Sequence, residues 1–294
     1  MRSTSFLWLE ITGRCQLTCT HCYADSGPTG THGSMTVFDW IRVLDEATSA
    51  GVSSVQFIGG EPTLHPGLTG LVEHALAKNL RVEVFSNLVH VSDVQWEVFG
   101  RAGVSLATSY YSDDPGEHAQ ITGRSTHRQT RANVAEAVRR GIPLRAGVID
   151  LRDGQRAEHA QAELVDLGVP SIGYDRLREV GRGGAGGTPD TSQLCGHCAQ
   201  GVAAVSPDGA VWPCVFSRWL PMGNVLEQQL DEILAGPRAR AIRAELAEDF
   251  SRNARSGQCY PDCSPSPCEP QCSPRCSPSC NPCTPSQRCW PSYR

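Results

Sequence analysis

Short β-type runs alternate with longer amphipathic stretches from residue 6 to residue 181. That rhythm predicts a parallel sheet with covering helices. Strands are expected at 6–11 (FLWLEI), 54–58 (SVQFI), 81–85 (RVEVF), 104–108 (VSLAT), 144–149 (LRAGVI) and about 171–174. The intervening helices fall at about 36–50, 67–78, 92–101, 127–140 and 155–167, and Gly51, Gly141 and Gly168 stand where C-terminal caps belong. Six such units predict an α/β fold, a partial (β/α)6 TIM-like barrel.

The glycine-rich stretch GRGGAGGTPD, residues 181–190, has the composition of a flexible linker and marks a boundary. Beyond it VAAVSPDGAVWPC predicts a hairpin turning at Pro207, Asp208 and Gly209, followed by a helix over about 227–249. The tail from Cys259 has proline between nearly every pair of cysteines. Cys268, Cys272, Cys276 and Cys280 are each four apart, but the prolines forbid the helix that would align them. The expected organisation is a barrel core over 1–181, a small cysteine-bearing extension over 182–258 and a Cys/Pro-rich tail over 259–294.

A net charge of -5 and a pI near 6.0 supply no field to attract nucleic acid or an anionic membrane surface. No stretch reaches the roughly 20 apolar residues of a membrane span, and the N-terminus lacks a signal peptide's apolar run. The expected location is the cytoplasm. In that reducing compartment fourteen cysteines point to metal ligation before disulfides. They fall into three groups: Cys15, Cys19 and Cys22; Cys195, Cys198 and Cys214; and eight between Cys259 and Cys289.

The first group forms CxxxCxxC directly after the first expected strand. Soft thiolates suit iron-sulfur clusters, and three of them leave one iron of a 4Fe-4S cluster open to an exogenous ligand. Here the chain resembles the radical S-adenosylmethionine (SAM) superfamily over roughly residues 6–181. His21 stands between the last two cysteines and Tyr23 follows them, as is common there, and Gly59-Gly60-Glu61-Pro62 after the second strand is similar to the family's GGEP motif. The resemblance implies that Cys15, Cys19 and Cys22 hold a 4Fe-4S cluster whose open iron chelates SAM. It implies that the Glu61 carboxylate faces the methionyl ammonium, and that Ser86 and Asn87 contact the SAM ribose or carboxylate. Reductive cleavage of SAM to a 5'-deoxyadenosyl radical would be driven by a partner such as flavodoxin or ferredoxin. Arg124 is a candidate for the SAM carboxylate, against a surface arginine. Tyr110, Tyr111 and Asp113, in SYYSDD, are candidates for substrate or proton handling, against a solvated loop. Arg178 and Arg182 resemble a segment found after the sixth strand in many members.

Cys198, ten residues, Gly209, four residues and Cys214 resemble the opening of the SPASM extension, found in radical SAM enzymes that mature peptides, as do GNV and LDEIL further on. Cys280, Cys283 and Cys289 match the first three positions of its next cysteine block, but Tyr293 stands where the fourth belongs. The resemblance implies one auxiliary cluster on Cys195, Cys198 and Cys214, or two with tail ligands; the tail reads equally as a zinc-binding, disordered or partner-binding appendage. The leading expectation is an enzyme that modifies a ribosomally made peptide or protein by hydrogen abstraction. Because the first strand begins at once, leader recognition would need a separate protein. Oxidation or rearrangement of a small sugar or nucleoside is the alternative enzyme, and a metal-binding or redox-sensing protein the non-catalytic one.

Overall fold

All six expected strands form, as β1 (Phe6–Thr12), β2 (Ser54–Gly59), β3 (Arg81–Phe85), β4 (Val104–Tyr110), β5 (Leu144–Asp150) and β6 (Ser171–Arg176). They pair in parallel and in chain order. This computed structural model describes residues 4–255; the tail, with Cys280, Cys283 and Cys289, lies outside the described residues. Every residue of β1 is buried, the signature of a parallel strand covered on both faces. The covering helices are α1 (Val37–Ser49), α2 (Leu68–Ala77), α3 (Asp93–Phe99), α4 (Pro115–Thr122), α5 (His127–Arg139) and α6 (Ala157–Asp166). Capping boxes start two of them, Thr36 with Asp39 on α1 and Ser92 with Gln95 on α3. Trp40 and Leu44 of α1 and Phe99 of α3 are fully buried with Phe57 of β2 in one apolar core.

Two expectations about helices are corrected. α4 occupies part of the stretch expected to be loop: the Asp114 side chain accepts from the Glu117 amide at 2.7 Å and Pro115 opens the first turn, a start signal present in the sequence. The helix expected over 227–249 is two, α7 (Leu230–Ala235) and α8 (Pro237–Arg255). Pro237 disfavours the helical conformation for the residue before it, and Gly236 is extended, with φ -67° and ψ 165°.

The hairpin also forms, as β7 (Val202–Val205) and β8 (Ala210–Trp212), with β9 (Gly223–Asn224) beyond it at the GNV word. β7 pairs in parallel with β1, so the sheet runs β6-β5-β4-β3-β2-β1-β7-β8-β9 and continues from the barrel into the extension. It does not close, and β6 and β9 are its two ends. Near the N-terminal ends of the strands, Arg145 grips Glu83 through two hydrogen bonds at 2.5 and 2.6 Å, and Glu83 also accepts from the Gln56 amide. This polar plug leaves the C-terminal ends, where barrels of this kind gather their functional loops, as the accessible face. Among the described residues no helix is long and apolar enough to cross a membrane.

Candidate functional site

The loop after β1 carries Cys15, Cys19 and Cys22, all free thiols. Cys15 is buried, and its sulfur accepts from the Leu17 amide at 3.4 Å and from Asn87 Nδ2 at 3.6 Å. Burial pushes the Cys15 thiol up to about 12, with the Glu61 charge adding to it. Burial and the neighbouring Cys22 and Cys15 do the same to Cys19. Buried thiols of this kind hold their protons, and ligation to a metal would remove them.

The rest of the loop is fastened through its backbone. Arg182 donates from Nε to the Cys19 carbonyl at 2.8 Å, from Nη2 to the Ser26 carbonyl at 2.7 Å, and from its amide to the Cys22 carbonyl at 3.0 Å. Thr18 and Thr20 amides donate to the carbonyls of Thr122 and Ile121, at the end of α4. The segment read as a flexible linker is in fact part of this clamp. Gly181 has a φ of +59°, and a Cβ there would collide with the Cys22 and Tyr23 carbonyls; one on Gly183 would strike the Arg178 carbonyl. Close packing, rather than freedom, requires glycine at these positions.

The Gly59–Pro62 stretch lies against the same loop. The Gly60 amide donates to the Thr12 carbonyl at 2.7 Å and the Glu61 amide to the Arg14 carbonyl at 2.9 Å. Gly59 has a φ of +120°, and a Cβ on Gly60 would meet the Arg14 carbonyl. Pro62 is buried and opens a 3-10 turn over Pro62–Leu64, capped by the Glu61 side chain. Glu61 is fully buried, which raises its pKa, opposed by its hydrogen bonds. Oε1 accepts from the Thr63 amide (3.0 Å), the Thr63 hydroxyl (2.8 Å) and the Ser86 hydroxyl (2.8 Å), and Oε2 from the Asn87 amide (2.7 Å). In this structure the carboxylate accepts from four protein donors and ties the loop after β2 to the loop after β3.

Ser86 and Asn87 are likewise committed to the protein. The Ser86 hydroxyl donates to Glu61 and accepts from the Leu88 amide. The Asn87 side chain exchanges bonds with the Gln16 amide at 3.1 and 3.3 Å, inside the cysteine loop. Gln16 was missed from the sequence, where nothing but its place beside Cys15 marks it. Arg124 donates to the Gln16 carbonyl at 3.1 Å, so it too supports the loop.

The SYYSDD candidates separate. Tyr110 and Tyr111 are buried, against the solvated-loop reading. Tyr110 turns to the helices, where its hydroxyl lies 3.0 Å from His127 Nε2 and 2.6 Å from Glu163 Oε2. Asp113 forms a two-pronged ion pair with Arg156, which lowers its pKa. Of the three only Tyr111 reaches the cysteine loop, with its hydroxyl 3.2 Å from His21 Nε2. His21, held by burial at about 4, stays neutral, and with Thr20 it lines a cavity of about 200 Å³ closed by Gln120, Ile121, Leu151 and Arg182 among others.

In the extension, Cys198 and Cys214 are buried with their sulfurs 3.1 Å apart, too far for a disulfide bond of about 2.05 Å. Their bond to each other and that from Cys195 hold Cys198 well above an ordinary thiol. The hairpin thus brings together the three cysteines of the second group. Arg178 pairs with Asp175 and the Gln193 carbonyl, joining β6 to the segment before Cys195.

Among the described residues no three His, Cys, Asp or Glu side chains converge as a single metal ion requires. A cubane instead takes each thiolate on a different iron, and a loop of three mutually repelling thiols with N–H donors on one sulfur suits that group. An open α/β barrel with a three-thiol loop at the C-terminal ends of its strands is an arrangement that can hold an iron-sulfur cluster.

Residues 9–163 match the radical SAM superfamily, and residues 195–284 match SPASM, an iron-sulfur cluster-binding domain. The chain belongs to the radical SAM superfamily. It is similar to the antilisterial bacteriocin subtilosin biosynthesis protein AlbA of Bacillus subtilis (strain 168), with 23% identity over 85% of this chain and 64% of AlbA. It is similar also to the PqqA peptide cyclase of Streptomyces rochei, with 28% identity over 58% of this chain and 46% of the cyclase. The chain thus spans between about half and just under two-thirds of these relatives' lengths. Among solved structures, Streptococcus suis SuiB bound to its precursor peptide SuiA shares the fold, with a TM-score of 0.70 at 15% identity over 83% of this chain and 67% of SuiB.

Proposed function

We propose that the protein cleaves SAM reductively at Cys15, Cys19 and Cys22 and abstracts hydrogen from a ribosomally made peptide. The observation that carries the first half is the union of the three-thiol loop with the Gly59–Pro62 loop through Glu61, Asn87 and Gln16. Such a network holds a ligand site rigid before the ligand arrives. When bound, the reduced cluster supplies the electron that breaks a sulfonium carbon-sulfur bond of SAM, giving the radical that takes hydrogen from substrate.

The protein's own groups bind and orient. The Asn87 Nδ2 and Leu17 N–H groups aim at the Cys15 sulfur and favour its anionic form. The neutral His21 ring, braced by Tyr111, walls the cavity and brings no cation into it. Cys195, Cys198 and Cys214 are the extension's ligands for an auxiliary cluster, with Cys280, Cys283 and Cys289 supplying further ligands. The peptide half rests on the likeness to AlbA, a bacteriocin biosynthesis protein, to the PqqA peptide cyclase and to SuiB, whose structure holds a precursor peptide. A flavodoxin or ferredoxin would deliver electrons, a separate protein would present the leader, and the cytoplasm would keep the thiols reduced.

The test is anaerobic reconstitution with iron, sulfide, SAM and dithionite, followed by incubation with short peptides encoded beside the gene. Release of 5'-deoxyadenosine together with a mass loss in one peptide is the expected result. Release without any change in a peptide would remove the substrate assignment, and no release would remove the enzyme assignment.

A further inference from the structure

Glu10 is a carboxylate in the otherwise apolar FLWLEIT strand and is fully buried. Its partner comes from the other end of the described chain: Arg218, four residues beyond Cys214, donates to Glu10 Oε1 at 2.5 Å. The Arg218 guanidinium lies between two rings, 4.7 Å from the centroid of Trp212 and 5.3 Å from that of Tyr23. Tyr23 directly follows Cys22, and its ring also meets Phe216 edge-on at 5.2 Å. Trp212 and Phe216 each stand two residues from Cys214. One side of the last turn of the cysteine loop is therefore walled by the extension rather than by the barrel.

We infer that Arg218 is a positioning residue for the SAM-binding cluster, setting the last turn of the Cys15–Cys22 loop by clamping Tyr23 against Glu10 and Trp212. This rests on the reading of that loop as a cluster site. The physical case is one of geometry and charge. A guanidinium is flat, stays charged and stacks on rings, so it can join a carboxylate and two aromatic faces at once, whereas an ammonium cannot. Glu10 gives it a buried anchor that fixes its height along β1. The backbone clamp of Arg182 holds Cys19 and Cys22 from the side of β6, and Arg218 holds the following residue from the side of β7. The loop is thus set between the two flanks of the open barrel.

This arrangement gives the extension a task separate from any cluster of its own. It predicts that loss of Arg218 displaces Cys22, one of the three thiols that would hold the cluster, even when the extension's cysteines are intact.

Arg218→Met alone strands the buried Glu10 charge and can unfold the chain, so the decisive variant is Glu10→Gln/Arg218→Met, which removes both charges. Reconstituted full-length protein is reduced with dithionite and titrated with SAM, following the change that SAM binding makes in the electron paramagnetic resonance signal of its cluster. Thermal melting and iron per chain are measured alongside. The expected result is a melting temperature and iron content close to those of the unaltered protein, with a SAM midpoint raised at least tenfold. A double variant with the unaltered midpoint and spectrum overturns the inference and leaves the reading of the site intact. An unaltered protein whose signal ignores SAM overturns that reading and the inference with it. Loss of iron and of the fold together, in the charge-neutral variant, shows a merely structural role and also overturns it.

Discussion

The Glu61 carboxylate receives the Asn87 backbone N–H at 2.7 Å, and with the Ser86 hydroxyl bond it joins the loop after β2 to the loop after β3. Because Asn87 in turn donates to the Cys15 sulfur, the GGEP motif acts on the cysteine loop at one remove. Glu61→Gln keeps the shape but replaces one acceptor oxygen with a donor, which faces an N–H or O–H that it cannot serve. Hydrogen bonds to a charged group contribute about 1.5 to 3 kcal/mol, so the expected outcome is roughly tenfold weaker SAM binding with a measurable fall in melting temperature. Calorimetric titration and thermal denaturation of the reconstituted protein check both. A change in SAM affinity with no loss of stability would contradict the positioning role.

Replacing Cys15, Cys19 and Cys22 together with alanine should abolish SAM cleavage while part of the iron stays bound. The second thiol group, with Cys198 and Cys214 3.1 Å apart, is built by separate elements and does not depend on the first. Iron and sulfide assays give the answer, and iron at background would show that the extension holds no cluster.

Arg182→Met should leave the thiols untouched yet release the carbonyls of Cys19 and Ser26 from their donor. The cluster should then be lost to a chelator severalfold faster than from the unaltered protein, since the ligand-bearing turn gains freedom. Following the visible absorbance after adding a chelator measures this. Equal rates would mean that the contacts of Gly181 and Gly183 hold the turn without the side chain.

His118 is buried between Tyr110, Thr126 and His127, and burial holds its pKa at about 4, with the neighbouring His127 acting in the same direction. An unfolded histidine titrates near 6.5, so between these values the unfolded chain binds the extra proton. The stability contributed by neutral His118 is complete above about pH 6.5 and is lost as the pH falls toward 4. His118→Gln should therefore reduce the fall in unfolding free energy over that range, by on the order of 1 kcal/mol. Denaturant melts of the cluster-free protein at pH 7 and pH 5 supply the comparison; identical pH dependence would refute the assignment.

The strands were legible because a parallel strand buried on both faces reads as a largely apolar run, as in FLWLEI and SVQFI. Cys15, Cys19 and Cys22 were legible as a group because their close spacing follows the first expected strand directly, and all three lie on the loop after β1. The roles of Glu61, Ser86 and Asn87 were harder to read, since a motif shows which residues meet at a site but not which of their atoms are already taken by one another. The pair Tyr110 and Tyr111 was split by where β4 ends: Tyr110, its last residue, turns to the helices, while Tyr111, just beyond it, reaches His21. The glycines of 181–184 misled for a different reason, because composition does not distinguish a chain that must bend from one that must lie close. Glu10 carried a readable signal, a charge inside an apolar strand, but its partner stands 208 residues away and no local pattern announces it.

A sheet that ends at β6 and β9 is an open wall rather than a closed tube. A tube accepts a polymer only end first, so its reach falls with distance from the terminus. A trough accepts the middle of a chain laid in from the side. If the substrate is the proposed peptide, such an opening would free the reactive residue from any rule of position: an internal side chain would be as accessible as a terminal one, with the flanking segments trailing out on either side.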